Sequence, residues 1–489
     1  MDRQHTNSYD APRQINNLSQ RSIDRSVQLF KNHIPIECLL LGLFEFTTFF
    51  LALYAAVYLR FEVIDNSHGS YKGSIFPDAV LFSVAMSLAM MSLGAYQRSS
   101  NQHLLPMIVR IAQAMLLAVV PLSLLFYLSP MLFMGRGVMG LATVISFIGT
   151  VLIRIFFYRI HQTSVKPRIL VLGTGKNARL VWEAQKKGEL NSLNIQGYCA
   201  IGADSIEVNA CDIIDNQNSL IDIVERFQPD QIVVAADDRR KALPMKDILD
   251  CKMSGYSVID LLTFFERETG KIRLDILTPS WLYLSEGFRH TSLKRFGKRL
   301  FDIAASGLLL IITAPLMLLV ACCIHIEGGC KSPVIYRQMR VGRNGVQFEI
   351  LKFRSMLPDA ESDGVARWAQ PKDSRITRVG AYIRKARLDE LPQLFNILRG
   401  DMSIVGPRPE RSEFTRQLAL TIPYYNERHR VKPGLTGWAQ IRFNYGASAE
   451  DATEKLQYDL YYTKNYGLIM DMLIILQTVE VVLMGKGAR

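Results

Sequence analysis

A chain of 489 residues exceeds what a single hydrophobic core serves, so two or three domains are expected. It is 49% apolar with a net charge of +12, and its basic residues interleave with acids and long apolar runs instead of forming one open stripe, which argues against nucleic acid and for lipid or phosphorylated partners. Its seven cysteines (Cys38, Cys199, Cys211, Cys251, Cys322, Cys323 and Cys330) form no CxxC pair, which excludes the usual zinc spacings and an extracellular disulfide framework and points to a reduced, cytosol-facing setting.

Residues 1–30 are rich in Asn, Gln, Ser, Arg and Asp and hold too little apolar surface to fold alone, so a disordered cytosolic tail is expected there. The first apolar run is too long for a cleavable signal peptide. Four runs of membrane length follow, near 35–59, 77–96, 106–129 and 137–158, and predict a four-helix transmembrane domain over 31–160. Lys31, Arg98, Arg110, Arg159, Lys166 and Arg168 flank them on one side and only Arg60, Lys72 and Arg136 on the other, so the soluble parts are expected in the cytosol.

Arg168-Ile-Leu-Val-Leu-Gly173-Thr-Gly175-Lys-Asn-Ala178 runs from a buried-strand pattern into a glycine turn and a helix, a Rossmann-like opening. Strand patterns at 196–201, 231–236 and 256–260 alternate with helical ones, predicting an α/β domain over 165–285. Gly173 and Gly175 are candidates to hold a nucleotide pyrophosphate at a helix N-terminus. A purely structural tight turn fits equally well, because the next strand lacks the acid that would grip a ribose.

A third region, 295–489, begins with the basic run Lys294-Arg295-Phe-Gly-Lys298-Arg299 and the apolar segment 303–326. As a fifth span this segment would carry everything beyond residue 330, with much positive charge, out of the cell. Pro315 lies in its middle, so a re-entrant helix over 301–326, broken at Pro315 and returning to the same face, is preferred to a kinked span.

Beyond residue 330 the chain packs Arg, Lys, Gly, Pro and paired acids into short blocks. Phe348-Glu-Ile-Leu-Lys352-Phe-Arg354-Ser-Met356 reads as a strand edge presenting Lys352 and Arg354 to an anion, though a solvated strand face looks the same. Arg387-Leu-Asp389-Glu390-Leu-Pro392 places a helix start near Asp389, since proline is tolerated in a first turn. Such a site keeps a carboxylate ionised, and simple capping is the competing reading. Gly400-Asp-Met-Ser-Ile-Val-Gly406-Pro-Arg408-Pro409 is a rigid turn that aims Arg408. Arg428-His-Arg-Val-Lys432-Pro-Gly-Leu-Thr-Gly437-Trp438-Ala-Gln440 adds Lys432, with Trp438 read as packing. Fixed, clustered cations of this kind, with Arg387 among them, suit a diphosphate.

In order and spacing, Lys352 to Met356, Leu388-Asp-Glu-Leu391, Gly400 to Pro409 and Lys432 to Gln440 resemble the bacterial sugar transferases, also called monotopic phosphoglycosyl transferases, over about 295–489. With the four spans and the Rossmann-like insert, the whole chain is similar to the long form, the undecaprenyl-phosphate glucose or galactose phosphotransferases of exopolysaccharide pathways. The resemblance implies transfer of a hexose-1-phosphate from a UDP-sugar to undecaprenyl phosphate at the bacterial inner membrane. It further implies that Asp389 is the nucleophile, that UMP leaves, that Asp389 and Glu390 hold Mg²⁺, and that Lys352, Arg354 and Arg408 steady phosphate oxygens. It also implies a Ser-Pro break in the re-entrant helix; here the step is Thr313-Ala-Pro315, with Thr313 the candidate replacement for the serine.

Two other functions compete. A membrane-tethered nucleotide-sugar dehydratase needs a Tyr-x-x-x-Lys pair, and no tyrosine here has a lysine four residues later. A non-catalytic scaffold is the other. The sugar is not legible, and the middle domain leaves a regulator, a homodimer contact or a spacer open.

Overall fold

The computed structural model describes residues 26–29, 32–64, 74–96, 104–128, 135–162, 166–201, 205–214, 219–238, 243–285, 287–288, 291–329, 333–357, 375–443 and 448–483. The chain divides into two compact units, Met1–Glu37 with Lys166–Leu261, and Cys38–Val165 with Leu262–Arg489. It opens on an antiparallel hairpin, β1 (Ser26–Leu29) and β2 (Asn32–Pro35). That hairpin enters the stretch expected as a disordered tail to residue 30; the rest of the expected tail, residues 1–25, lies outside the described residues. Val27, Leu29 and Ile34 alternate with polar residues, a period of two that the polar composition hides.

Four apolar helices follow, α1 (Ile36–Tyr58, prolonged by a π-helical turn at Leu59–Ile64), α2 (Ile75–Ser92), α3 (Leu104–Leu128) and α4 (Arg136–Gln162). Phe49, Leu53, Phe82 and Ile111 are buried between them while Leu43, Leu51, Leu116 and Val120 face outward, so the helices are apolar on both sides. Inside this bundle Arg154 donates to Glu45 at 2.6 Å and to the Ala95 carbonyl at 2.7 Å, and Tyr96 donates to the same carboxylate at 2.6 Å. Charges survive among apolar helices only when paired, and this pair ties the first helix to the fourth.

The α/β part comprises β3 (Arg168–Leu172), α5 (Lys176–Lys186), β4 (Asn194–Cys199), β5 (Ile213–Ile214), α6 (Leu220–Phe227), β6 (Gln231–Val234), α7 (Met245–Met253) and β7 (Ser257–Asp260). Its strands form one parallel sheet in the order β5-β4-β3-β6-β7. The order reverses between β3 and β6, which makes the crevice beyond their carboxyl ends the usual ligand position of such a sheet.

The expected boundary of this domain at residue 285 is corrected to 261. Helices α8 (Leu261–Thr269) and α9 (Pro279–Leu284) belong, from Leu262 on, to the second unit. The segment is fastened there by Ile272 N donating to the Gln457 carbonyl (3.1 Å), by Lys271 with Glu454 (2.8 Å) and by Lys464 with Glu266 (2.7 Å). Sequence periodicity reports helices but not which core they share, and here long-range ion pairs decide.

Helix α10 (Ser292–Gly328) is assigned as one helix through Pro315, so the helical hydrogen bonding continues on both sides of the proline. Proline removes a single N–H, and the ladder on either side persists; Thr313 Oγ1 donates to the Leu309 carbonyl at 2.7 Å. Both arms of α10 pack on the elements that follow it: β8 (Ile335–Val341), β9 (Gln347–Phe353), α11 (Arg378–Lys385), α12 (Gln393–Arg399), β10 (Ser403–Val405), α13 (Ser412–Thr421), β11 (Gly434–Thr436), α14 (Trp438–Arg442), α15 (Ala449–Asn465) and α16 (Leu468–Leu483). In the N-terminal arm Asp302 accepts from Ser403 Oγ (3.0 Å) and Ile404 N (3.1 Å), and Lys298 pairs with the buried Asp471 of α16. The C-terminal arm packs Val320 and Ile324 on Phe353 and Ile383. Between the arms Ile311, Ile312, Leu318 and Leu319 are exposed. Among the described residues, α10 and the four bundle helices are the five long and apolar enough to cross a membrane.

Candidate active site

Asp389 and Glu390 sit on a single 3₁₀ turn, Leu388–Glu390, entered through Arg387 in the left-handed region (φ 55°). The helix expected to start near Asp389 starts four residues later: Pro392 is the N-cap residue of α12, which begins at Gln393. The carboxylates therefore occupy the turn leading into α12, one step further out than the sequence implies.

Glu390 is 8% exposed and gathers three cations: Arg408 Nη2 donates to its Oε1 at 2.9 Å, Lys352 Nζ lies 3.5 Å from the same oxygen, and Arg387 Nη1 lies 3.8 Å from Oε2. Burial alone pushes this carboxyl up, but Arg408, Lys352 and Arg387 together outweigh it and hold it down at about 2. Burial lowers the Lys352 ammonium, offset in part by Glu390. Asp389 differs. It makes no hydrogen bond and no ion pair within 4 Å among the described residues, and burial, reinforced by the neighbouring Glu390 charge, raises its carboxyl above the ordinary value. Three cations around two carboxylates leave the site net positive when both acids are ionised, and Asp389 is the acid left unengaged.

Two sets of contacts hold this arrangement, and neither was singled out from the sequence. Asn396 of α12, fully buried, accepts from Leu351 N (3.0 Å) and donates to the Glu349 carbonyl (2.7 Å), locking the helix to β9 beside Lys352. Arg428 donates to the Arg408 carbonyl (3.0 Å) and to Tyr425 Oη (2.8 Å) and pairs with the buried Asp459 at 2.8 Å, which fixes the backbone from which Arg408 projects. Gly406 lies so close to the Lys432 carbonyl that a Cβ there has no room. A lone Asn or Asp carries no periodic signal, so only the fold brings these residues to the site.

The other expected residues divide. Arg354 is 8% exposed, continues the β8–β9 pairing through its N–H to the Val334 carbonyl (2.9 Å), and by strand alternation shares a face with Lys352. Lys432, expected with the substrate-binding cations, is instead grouped with Arg299, Asp302, Arg343 and Asp401 beside Gly400, at the far end of α12. Chain order placed it in a cationic motif, but β11 carries it to the other end of the helix. Gly173 and Gly175 form no open phosphate cradle. The Asp237 carboxylate accepts from Lys176 N (2.9 Å) and Asn177 N (2.8 Å), filling the α5 N-terminus at the switch point with the chain's own anion, and a Cβ on Gly175 would collide with it. These contacts are those of a tight turn closed on its own carboxylate. Trp438 is packing: 7% exposed, stacked on Tyr461 with ring centroids 5.9 Å apart, and donating to the Gly270 carbonyl at 2.8 Å.

No group of three His, Cys, Asp or Glu side chains converges on a metal position among the described residues. Asp389 and Glu390 are the two carboxylates that could hold Mg²⁺, which takes one or two carboxylates and completes its shell with water and substrate phosphate.

A model of the bacterial sugar transferase family matches residues 293–485. The chain is 32% identical over 358 residues to an undecaprenyl-phosphate galactose phosphotransferase of Salmonella typhimurium, a match covering 66% of this chain and 69% of that protein. The chain belongs to the bacterial sugar transferase family. Other bacterial sugar transferases are similar over shorter stretches. A UDP-N-acetylgalactosamine-undecaprenyl-phosphate N-acetylgalactosaminephosphotransferase of Aeromonas hydrophila is 42% identical over 49% of this chain and 55% of its own length. A UDP-glucose:undecaprenyl-phosphate glucose-1-phosphate transferase of Caulobacter vibrioides is 42% identical over 39% of this chain and 71% of its own. The chain thus spans between about half and somewhat over two thirds of these three relatives. A CoA-binding domain model matches residues 91–247, which take in α3 and α4 of the bundle and most of the α/β part of this sugar transferase.

Proposed function

We propose that the protein transfers a hexose-1-phosphate from a UDP-sugar to undecaprenyl phosphate through an aspartyl intermediate, as a membrane step of exopolysaccharide synthesis. The supporting observation is the contrast within one turn: Glu390 is held by three cations, while Asp389, beside the same cations, has no hydrogen bond or ion pair among the described residues. A carboxylate oxygen of Asp389 attacks the phosphorus that bears the sugar; the bond from that phosphorus to the UMP oxygen breaks, and UMP departs with the electron pair. A phosphate oxygen of undecaprenyl phosphate then attacks the same phosphorus, and the Asp389 carboxylate is released with undecaprenyl-diphosphate-sugar as product. Lys352, Arg387 and Arg408 balance the diphosphate charge and orient its oxygens. Mg²⁺ held by Asp389 and Glu390 would supply further charge neutralisation.

The packing of both α10 arms on one domain supports a re-entrant anchor below four bundle spans, with the soluble parts on the cytosolic side of a bacterial inner membrane, where donor and lipid acceptor meet. Incubating the protein with UDP-sugar alone should load Asp389 with a hexose-phosphate, seen by mass spectrometry. Asp389→Asn should lower transfer at least roughly thousand-fold. Turnover that continues in the Asn variant sinks the covalent scheme. UMP release measured across a panel of UDP-sugars identifies the sugar.

A further inference from the structure

Among the described residues, the Arg354 side chain is a charge without a counter-charge. The residue is 92% buried by its 8% exposure, its Nη1 is buried with no hydrogen-bond partner, and no carboxylate lies within 4 Å of it among the described residues. A buried guanidinium left unpaired costs several kcal/mol, so an anion arriving beside Arg354 is favoured.

Its place in the fold indicates which anion. The β8–β9 hairpin begins seven residues after α10 ends, and Ile335 pairs with Phe353, so the Arg354 end of the hairpin adjoins the C-terminal arm of the membrane-seeking helix. Phe353 packs there with Val320 and Ile324 of that arm, and Leu388 and Leu391 from the two ends of the catalytic turn join the same cluster. At about 3.3 Å per residue, Arg354 stands roughly 7 Å beyond Lys352 along the strand, toward α10. Lys352, Arg387 and Arg408 are engaged with Glu390, whereas Arg354 stands at the hairpin end that adjoins α10 and is not among the ion-pair partners of either carboxylate among the described residues.

We propose that the Arg354 guanidinium binds the phosphate of the lipid acceptor, leaving Lys352, Arg387 and Arg408 to the donor's diphosphate. The planar fork matches a phosphate monoester with two parallel N–H donors, and the apolar surface of α10 beside it accommodates the isoprenoid chain. This rests on the two-step transfer proposed above, and that scheme lets the two substrates be assayed apart. Exchange of labelled UMP into UDP-sugar without acceptor reports the donor step; transfer to undecaprenyl phosphate reports both.

For Arg354→Gln, the KM for undecaprenyl phosphate should rise at least about tenfold while UMP exchange stays within about threefold of the wild type, a gap of the size a lost charged hydrogen bond gives. Exchange also reports that the variant is folded. Arg354→Lys, which keeps the charge but not the fork, should fall between. Equal losses of exchange and transfer in the Lys variant, or an acceptor KM unchanged in the Gln variant, overturn the assignment. So does an acceptor KM that is normal in phosphatidylcholine vesicles and altered only when phosphatidylglycerol is added, since the anion is then bulk lipid. Absent exchange in the wild type counts against the covalent scheme instead.

Discussion

Glu390 and Asp389 are adjacent carboxylates with opposite environments, and pH separates them. Glu390 has a folded value near 2, below the ordinary 4.5, so its ionised form favours folding. That contribution is fully present above about pH 4.5 and is lost as pH falls through 2. Taking about 1.4 kcal/mol per unit, it amounts to roughly 3 kcal/mol at neutral pH. Denaturant unfolding between pH 5 and pH 2 should show this loss, and Glu390→Gln should flatten it; an unchanged slope means that the three cations are not holding the carboxylate. Asp389 moves the other way. Its raised value places the acid limb of kcat/KM above that of an ordinary aspartate, because only the ionised form attacks.

At the scale of elements, the site is held by a helix locked to a strand. Asn396 satisfies Leu351 N and the Glu349 carbonyl from inside α12, so Lys352 and the catalytic turn keep one spacing. Asn396→Ala removes the partner of two part-buried backbone groups, at a cost of roughly 1–3 kcal/mol. Its activity should fall more than its stability accounts for when both are measured at a temperature where the variant is folded. A loss of activity matching the unfolded fraction alone would falsify this coupling. The same reasoning explains the glycine turn after β3: the motif is that of a phosphate loop, yet Asp237 at the end of β6 already occupies the helix amides. The turn residues were legible; their partner, more than sixty positions away, was not.

At the scale of the molecule, α10 decides how the catalytic part meets the bilayer. A straight helix of 37 residues is about 55 Å long, more than enough to cross a bilayer, yet both of its arms lie against one domain. Leu293→Cys and Ile326→Cys, at exposed positions near its two ends, should both react with an impermeant maleimide from the cytosolic face of inverted vesicles, in a background lacking all seven native cysteines. Labelling from opposite faces makes α10 a span and removes the re-entrant anchor. The C-terminal helix joins the two halves of this unit: α16 packs against α2, and Glu480 lies 4.0 Å from Arg110 of α3. The bundle expected at 31–160 and the catalytic part expected at 295–489 accordingly fall in one compact unit.

The sequence by itself determined whatever is local or periodic: four apolar helices, a parallel α/β sheet, the adjacent acids Asp389 and Glu390, and the cations Lys352, Arg387 and Arg408 that now surround them. Residue type and spacing carry that information because helices and strands repeat every few residues. Tertiary structure alone decided what distant residues do to one another. It moved Lys432 away from the acids, closed the Gly173 turn with Asp237, gave residues 262–285 to the second unit, and left the Arg354 side chain buried with no counter-charge among the described residues. These are contacts between segments tens to hundreds of positions apart, and a linear chain records no distance between them until packing brings them together.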